Sequence, residues 1–440
     1  SLASALSTSR LQYYRLLDRL HGRYAVIASA DGGATFRVTT DATGMRATFY
    51  AVSGQCVGSH AELVAVNVQA EPQDVGVPGY GFPGDLTPFR GVRVLIPNHE
   101  VDPDSGSLTR YWPRSRLPRR PVWLASRRAA ALLKASLEGI VARREEILSS
   151  LTAGTDSRAT LGILLAGHHE NSTEFFTYVW DNGTWVDNAD RDIAAKLATQ
   201  FNLRHRLIAP LTIGDIPANF EAILECNAYR EHKRILAWAY YKEFGSRHAV
   251  HLRSNLSEVG RAFYLKKHPV DPPASGKDLA AIYRLSIKRS ELPPDNRWKA
   301  VEEAFEDLFE ATNFAEAQRW VDGRYLMYWE HRMGTWHSQV VLESDIAFDS
   351  LSLYNSRALL VELLSVPLAA RLDDRILKGL MRSSNPRLLD LPFNPRPPGA
   401  AKAPSPQRQR DPRLSARIAK RVRKNRWVRG LVRRLRNITR

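Results

Sequence analysis

The sequence predicts an α/β fold: a doubly wound parallel sheet that continues into a helical C-terminal part, preceded by a smaller β-rich part. Three observations lead there. Short apolar runs alternate with amphipathic helical stretches between residues 122 and 208, the first hundred residues hold β-rich runs punctuated by glycine turns, and helical periodicity dominates beyond residue 275.

In the first part, Arg23–Ala28, Ala34–Thr39 and Arg46–Val52 read as strands, with Asp31-Gly32-Gly33 and Asp41–Gly44 as the turns between them. Asp-Gly between β-rich runs is a hairpin signal, because only small or Asx residues accept the backbone angles of a tight turn. A Gly- and Pro-rich passage from Val75 to Thr87 precedes a further strand, Val92–Ile96. Two prolines and three arginines in Ser115–Pro121 suit a linker. The expected parts are therefore 1–115, 122–395 and a basic tail at 396–440.

In the second part, Ser126–Glu145 has the spacing of an amphipathic helix, Ile147–Leu151 of a buried strand and Arg158–Ala166 of the next helix. Phe175–Trp180, Ala189–Asn202 and His205–Ile208 repeat the alternation of strand, helix and strand. Strands joined through helices must lie parallel, which is why the sheet is expected to be doubly wound. Helices follow to about Met381, and Pro392–Pro398 then breaks regular structure.

With 440 residues and 44% hydrophobic content, the chain can bury a full core. Cys56 and Cys226 are too few for a disulfide framework or a four-cysteine metal site, and no signal peptide or long uncharged apolar run appears, so a cytoplasmic setting is expected. The formal charge of +17 would suggest a nucleic-acid binder if it were spread over the chain. Residues 401–440, however, hold 15 Lys/Arg and a single acid, Asp411, leaving 48 bases against 45 acids in the rest. Nucleic acid is therefore not the expected partner of the body. Leu414, Ile418, Val422, Val428, Leu431, Leu435 and Ile438 mark one apolar face in an arginine-rich tail, a pattern suited to an anionic membrane surface or an acidic protein partner.

The strand ending at Leu151 runs into Thr152-Ala153-Gly154-Thr155-Asp156-Ser157 and then into a helix. Small residues let a ligand approach the backbone, Asp156 or Ser157 can cap the helix, and free N–H groups at its start attract anions. No lysine follows the glycine, so this is not the Gly-x-x-x-x-Gly-Lys loop of P-loop NTPases.

These six residues resemble the S-G-G-x-D-S pyrophosphate loop of the asparagine synthetase-like family, with Thr152 for the serine and Ala153 for the first glycine. The resemblance implies ATP and Mg2+ as cofactors, phosphate contacts from Thr152, Ala153, Gly154, Thr155, Asp156 and Ser157, and Asp156 as a metal ligand. Phe176 and Thr177 fall on the strand where family members contact the nucleotide. Val250–Arg261 stands where the family has a strand and L-S-G-x-G-x-D-E; Glu258 matches the final acid, while Ser257 replaces the aspartate. Glu330–Met333 and Ala358–Pro367 resemble later segments, and Lys378 is the nearest candidate for the family's charge-stabilising lysine. The four segments occur in order across residues 120 to 390.

The early residues resemble the later half of the family's glutaminase domain: Gly22–Val26, Asp41–Arg46 with Phe49–Ala51, and Gly91–His99. Glutamine hydrolysis there needs an N-terminal cysteine, and Ser1 followed by Leu2 does not supply one. The nitrogen source is then expected to be ammonia or a substrate amine.

Two further groups stand out. His168-His169-Glu170 lacks a second ligand pair at metal-binding spacing. Tyr328 and Glu330, with Tyr325, are candidates for a base that deprotonates an incoming amine. The expected activity is an AMP-forming carbon–nitrogen ligase acting on a small carboxylate and an amine. Asparagine synthesis with an upstream glutaminase, and a degenerate nucleotide-binding protein without turnover, are the alternatives.

Overall fold

The computed structural model describes residues 2–397 except 30–31, 34, 75–79, 144–145, 181–184, 212–215, 230–233, 268–269, 288–291, 293 and 396. The chain divides into a compact unit, Ser1–Pro397, and a C-terminal unit, Pro398–Arg440. The second unit, with the expected tail helix, lies outside the described residues, as do Asp31 of the first turn and residues 75–79.

The early strands are β1 (Ala25–Ala28), β2 (Arg37–Thr40), β3 (Phe49–Ala51), β4 (Val57–Gly58), β5 (Val92–Val94), β6 (His99–Val101) and β7 (Leu108–Arg110). They form two antiparallel sheets, ordered β1-β2-β6-β7 and β4-β3-β5. Val38, Tyr50, Leu95 and Val101 pack together as a small core that takes residues from both sheets. The helices Leu2–Thr8, Arg10–Leu17 and Ala61–Asn67 and the pair β6–β7 escaped the periodicity, because helices of seven or eight residues and three-residue strands are too short to show one. The Asp41–Gly44 turn forms as expected. The Asp41 carboxylate accepts from the backbone N–H groups of Thr43, Met45 and Arg46 at 3.1, 3.0 and 2.7 Å, and Gly44 takes a φ of +71° that a side chain would strain.

The later strands are β8 (Ile147–Ser150), β9 (Thr173–Trp180), β10 (His205–Leu211), β11 (Val250–Leu252) and β12 (Asp349–Leu351). They make one sheet in the order β10-β9-β8-β11-β12, parallel throughout. Its alternating side chains feed two cores. Ile147, Phe175, Val250 and Leu252 join Leu133, Leu137, Leu161 and Leu164 of the helices Val122–Val141 and Thr155–Ala166, whereas Leu148, Phe176 and Ile208 join Tyr240, Phe244 and Phe348. Both faces are covered, as an all-parallel sheet requires. β12 sits where the sequence reads as helix; a three-residue strand whose apolar content comes from a single leucine leaves no alternation to detect.

The N-terminal sheets meet the helical part through buried polar contacts. Arg110 pairs with Glu330 at 2.5 and 3.0 Å, and Asn98 donates to the same carboxylate at 2.9 Å. Arg357, 1% exposed, reaches Asn98 at 3.0 Å and the Tyr111 hydroxyl at 2.7 Å. Asn355 donates to Asp41 at 2.9 Å, and the Trp329 indole donates to the Ala42 carbonyl at 2.6 Å. No described helix is long and apolar enough to cross a membrane.

Candidate functional site

In the parallel sheet the strand order runs outward from β8 in one direction through β9 to β10, and in the other through β11 to β12. Connections leaving the carboxyl ends of β8 and β11 therefore diverge, and the crevice between them is where open α/β sheets bind ligands. The loop after β8 is residues 151–154; the segment after β11 is the tight helix Asn255–Arg261. The two stretches singled out in the sequence thus lie side by side at the switch point.

The helix after β8 begins at Thr155, three residues before the expected start, with Gly154 at its N-cap and no side-chain cap. Asp156 and Ser157 accordingly fall in the first turn instead of capping it, with Asp156 at the positive end of the helix dipole. Ser157 reaches back to the loop: its Oγ accepts from Thr152 N–H at 3.2 Å and lies 3.0 Å from Thr152 Oγ1. Gly154 N–H donates to Thr152 Oγ1 at 3.1 Å, and Ala153 N–H to the Asp190 carboxylate at 2.7 Å. The loop's own side chains thus hold its N–H groups in place, and a carboxylate already sits on one of them.

Beneath the first turn, three acids converge on one guanidinium. Arg261 Nη1 donates to both Asp156 oxygens at 2.9 and 2.8 Å and to Glu258 at 2.6 Å, while Nε and Nη2 grip Asp374 at 2.9 and 3.0 Å. Lys266 pairs with Asp374, and the fully buried Ser257 hydroxyl donates to Asp156. Burial opposes the Arg261 charge, but Asp156, Asp374 and Glu258 outweigh it and raise its pKa, so it stays a cation. For Asp374 burial acts upward, and the Arg261 hydrogen bonds more than reverse it. Glu258 goes the other way. Burial, opposed by Arg261 and reinforced by Asp156, pushes its carboxyl up to about 7, within reach of proton exchange at neutral pH.

This arrangement does not fit the expected Mg2+. Both oxygens of Asp156 already receive hydrogen bonds from Arg261, and no described cluster of three or more His, Cys, Asp or Glu side chains is set out as a metal site. Arg261 stands among the carboxylates that would otherwise ligate a cation.

The remaining expected residues divide. Tyr328 is buried near the cluster, where burial, Glu258 and Asp156 hold its hydroxyl well above its ordinary pKa, which suits a neutral donor and not a base. Glu330 takes its partners from Arg110 and Asn98, in the contact with the N-terminal sheets and not in the switch-point cluster. Lys378 lines a separate surface cleft with Trp123, Arg375 and Arg382; the ammonium that reaches the cluster is that of Lys266. Phe176 points its ring into the core against Tyr240, Phe244 and His251, and Thr177 Oγ1 donates to Leu151 O at 2.6 Å, tying β9 to the base of the loop. His169 lies 3.7 Å from Glu138, apart from any ligand set.

Sequence reasoning missed Arg261, Asp374, Lys266 and Asp190. Arg261 carried the one usable signal, three residues beyond an acid on a helical segment. Asp374 arrives from the turn that opens the helix Arg375–Ser384, and Asp190 from the helix Trp185–Phe201. The segment at residues 391–394 also comes back to the loop. Asn394 N–H donates to Ala153 O at 3.1 Å, and Arg158, fully buried, donates to Ala153 O at 3.1 Å and Leu391 O at 2.7 Å, with Phe393 4.1 Å from its guanidinium.

No family model matches the chain, and no curated protein sequence does. Among solved structures it is similar to the NH3-dependent NAD synthetase of Campylobacter jejuni, at 12% identity over 49% of this chain and 93% of that one, TM-score 0.23. It is similar to the U34-tRNA thiolase NcsA of Methanococcus maripaludis, at 12% identity over 48% and 80%, TM-score 0.22. A third is the NMN synthetase of Francisella tularensis, at 14% identity over 51% and 96%, TM-score 0.22. Similarity at this level assigns neither activity nor substrate.

Proposed function

We propose that the chain binds ATP over the Thr152–Ser157 loop and joins a small carboxylate to ammonia or an amine, releasing AMP and pyrophosphate. The observation that carries this reading is the position of the loop: it opens a helix at the switch point of a parallel sheet, with Arg261 and the Glu258 carboxyl directly below. A carboxylate oxygen would attack the α-phosphorus as the bond to pyrophosphate breaks, giving an acyl-adenylate. The nitrogen would then attack the acyl carbon as AMP leaves. Arg261 offsets phosphate charge, and Glu258 accepts the proton that the nitrogen loses. We read residues 1–115 as a glutaminase-like part, and 396–440 as a basic tail for an anionic surface.

Two observations favour a second reading, nucleotide binding without turnover. Arg261 occupies the cation's place, and Ser257 stands where the resembled family has an aspartate. The two readings separate in a single experiment: ATP binding by calorimetry and pyrophosphate release, each with magnesium and with EDTA, over a panel of carboxylates that starts with aspartate. Release with any panel member supports ligation, and binding without release supports the second reading. If ATP does not bind, or if Asp156→Ala changes neither quantity, the site assignment fails.

A further inference from the structure

A second concave surface lies beside this cluster and belongs to none of the steps above. It encloses about 810 Å3 and is lined by Arg116, Arg119, Arg120, Arg319 and Arg371 together with Trp320. No Asp or Glu is among its lining residues. Guanidinium groups gathered around one cleft repel one another, and a bound anion would offset the repulsion that neighbouring carboxylates leave.

The partners of these arginines sharpen the point. Arg120 meets Glu362 at 2.8 Å, and Arg319 meets Glu316 at 2.7 Å on the surface. Arg116 and Arg119 are exposed and have no acidic partner among the described residues. Arg371 stacks on Tyr325 at 4.2 Å, which holds its guanidinium at the cleft wall, and it has no acidic partner among the described residues. Pro121, which opens the 20-residue helix Val122–Val141, lines the same cleft, so the positive end of that helix adds to the field.

The cleft is not purely ionic. Leu117, Val366 and Leu368 form apolar wall beside Trp320. Its volume falls in the range of small-molecule sites, roughly 300–1,000 Å3. Guanidinium groups pair with phosphate in a forked geometry that a lysine cannot reproduce, and the basic residues lining this cleft are all arginine. Arg371 also lines a small cavity with Ser257, Arg261 and Asp374, so the cleft adjoins the switch-point cluster.

We propose that this arginine cleft is a binding site for a small molecule bearing a chain of phosphates, with the phosphates on Arg116, Arg119, Arg319 and Arg371 and an apolar or ring portion against Trp320. The site does not depend on the ligase reading, because its test needs no turnover. Titrating the full chain with tripolyphosphate, then with ADP, reads the site by calorimetry. The basic tail also attracts polyanions, so the decisive quantity is the difference between wild type and Arg116→Gln/Arg119→Gln, two exposed positions whose replacement leaves the core untouched.

The double variant should weaken tripolyphosphate binding at least about tenfold, two lost charge-assisted contacts being sufficient for that, with ATP-dependent activity unchanged. Arg319→Gln should weaken it less, and Trp320→Ala should weaken ADP more than tripolyphosphate. The proposal is overturned if the double variant binds tripolyphosphate as wild type does, or if wild type shows no binding at millimolar tripolyphosphate. It is equally overturned if a single-stranded oligonucleotide binds more tightly than either probe and loses that affinity in the double variant, which would make the surface a polymer track.

Discussion

Two arginine–carboxylate clusters of this molecule are built from the same groups and behave differently. Where the N-terminal sheets meet the helical part, Arg110 holds Glu330 as a forked pair, Asn98 fills a remaining site on the carboxylate, and Glu330 is 1% exposed. At the switch point, Arg261 and Lys266 face three acids, Asp156, Glu258 and Asp374, and one of them has its pKa driven close to neutrality. The first cluster is balanced and closed, and its energetics are those of structure. The second is short of positive charge, which leaves a proton to be moved. Burial raises the Glu258 carboxyl, and the two cations shared among three acids do not bring it back down, whereas the Arg110–Glu330 pair is matched.

The largest expected effect of a single substitution tests the lock. Glu330→Ala leaves the Arg110 guanidinium buried without its partner and should cost about 3–5 kcal/mol of stability in urea unfolding. A near-neutral result would erase the distinction between the clusters.

Acid should act next, on histidines buried in both parts of the molecule. Burial holds His331 down to about 3 and His99, His251 and His337 well below 6.5, so all four are neutral when folded and bind protons only on unfolding below about pH 6.5. Their contribution is present above that pH and lost as pH falls, at about 1.4 kcal/mol per histidine per pH unit. Melting temperatures between pH 7 and 5 measure it, and His331→Gln should shallow the slope.

The smallest effect sharpens the other side, because Glu258 has the opposite sign. Its folded pKa of about 7 lies above the ordinary 4.5, so its contribution is full below about 4.5 and is lost as pH rises through 7. Glu258→Gln should therefore change stability little at pH 5 and remove one opposing slope, making the acid sensitivity of the chain steeper. If the variant leaves the profile between pH 4.5 and 7 unchanged, Glu258 does not titrate there, and its role as proton acceptor falls with it.

Much of the layout was legible in the residues. Asp41 and Gly44 announced their turn because only a short acid and a residue free to take positive φ satisfy those backbone groups. The apolar residues of Ile147–Leu151 and Phe175–Trp180 announced the strands that form as Ile147–Ser150 and Thr173–Trp180, and Thr152–Ser157 announced a small-residue loop opening a helix. Boundaries slipped by a few residues at helix starts, where propensity is weak. The extra residues at Thr155–Ser157 decided that Asp156 lies inside the helix and not before it.

What the sequence determined alone was local: which runs can be buried, where the chain must turn, and which short segments carry polar groups worth placing together. It could not determine partners. Asp156, Glu258, Arg261 and Asp374 span more than two hundred positions, and Glu330 looked as fit for catalysis as any acid among aromatics. Only the parallel order of β8 and β11, which sets two distant loops side by side, decided that Glu258 joins Asp156, while the packing of the N-terminal sheets drew Glu330 to Arg110. Local pattern fixes hydrophobic faces through short-range sterics, but a carboxylate's role depends on the charges that folding places around it.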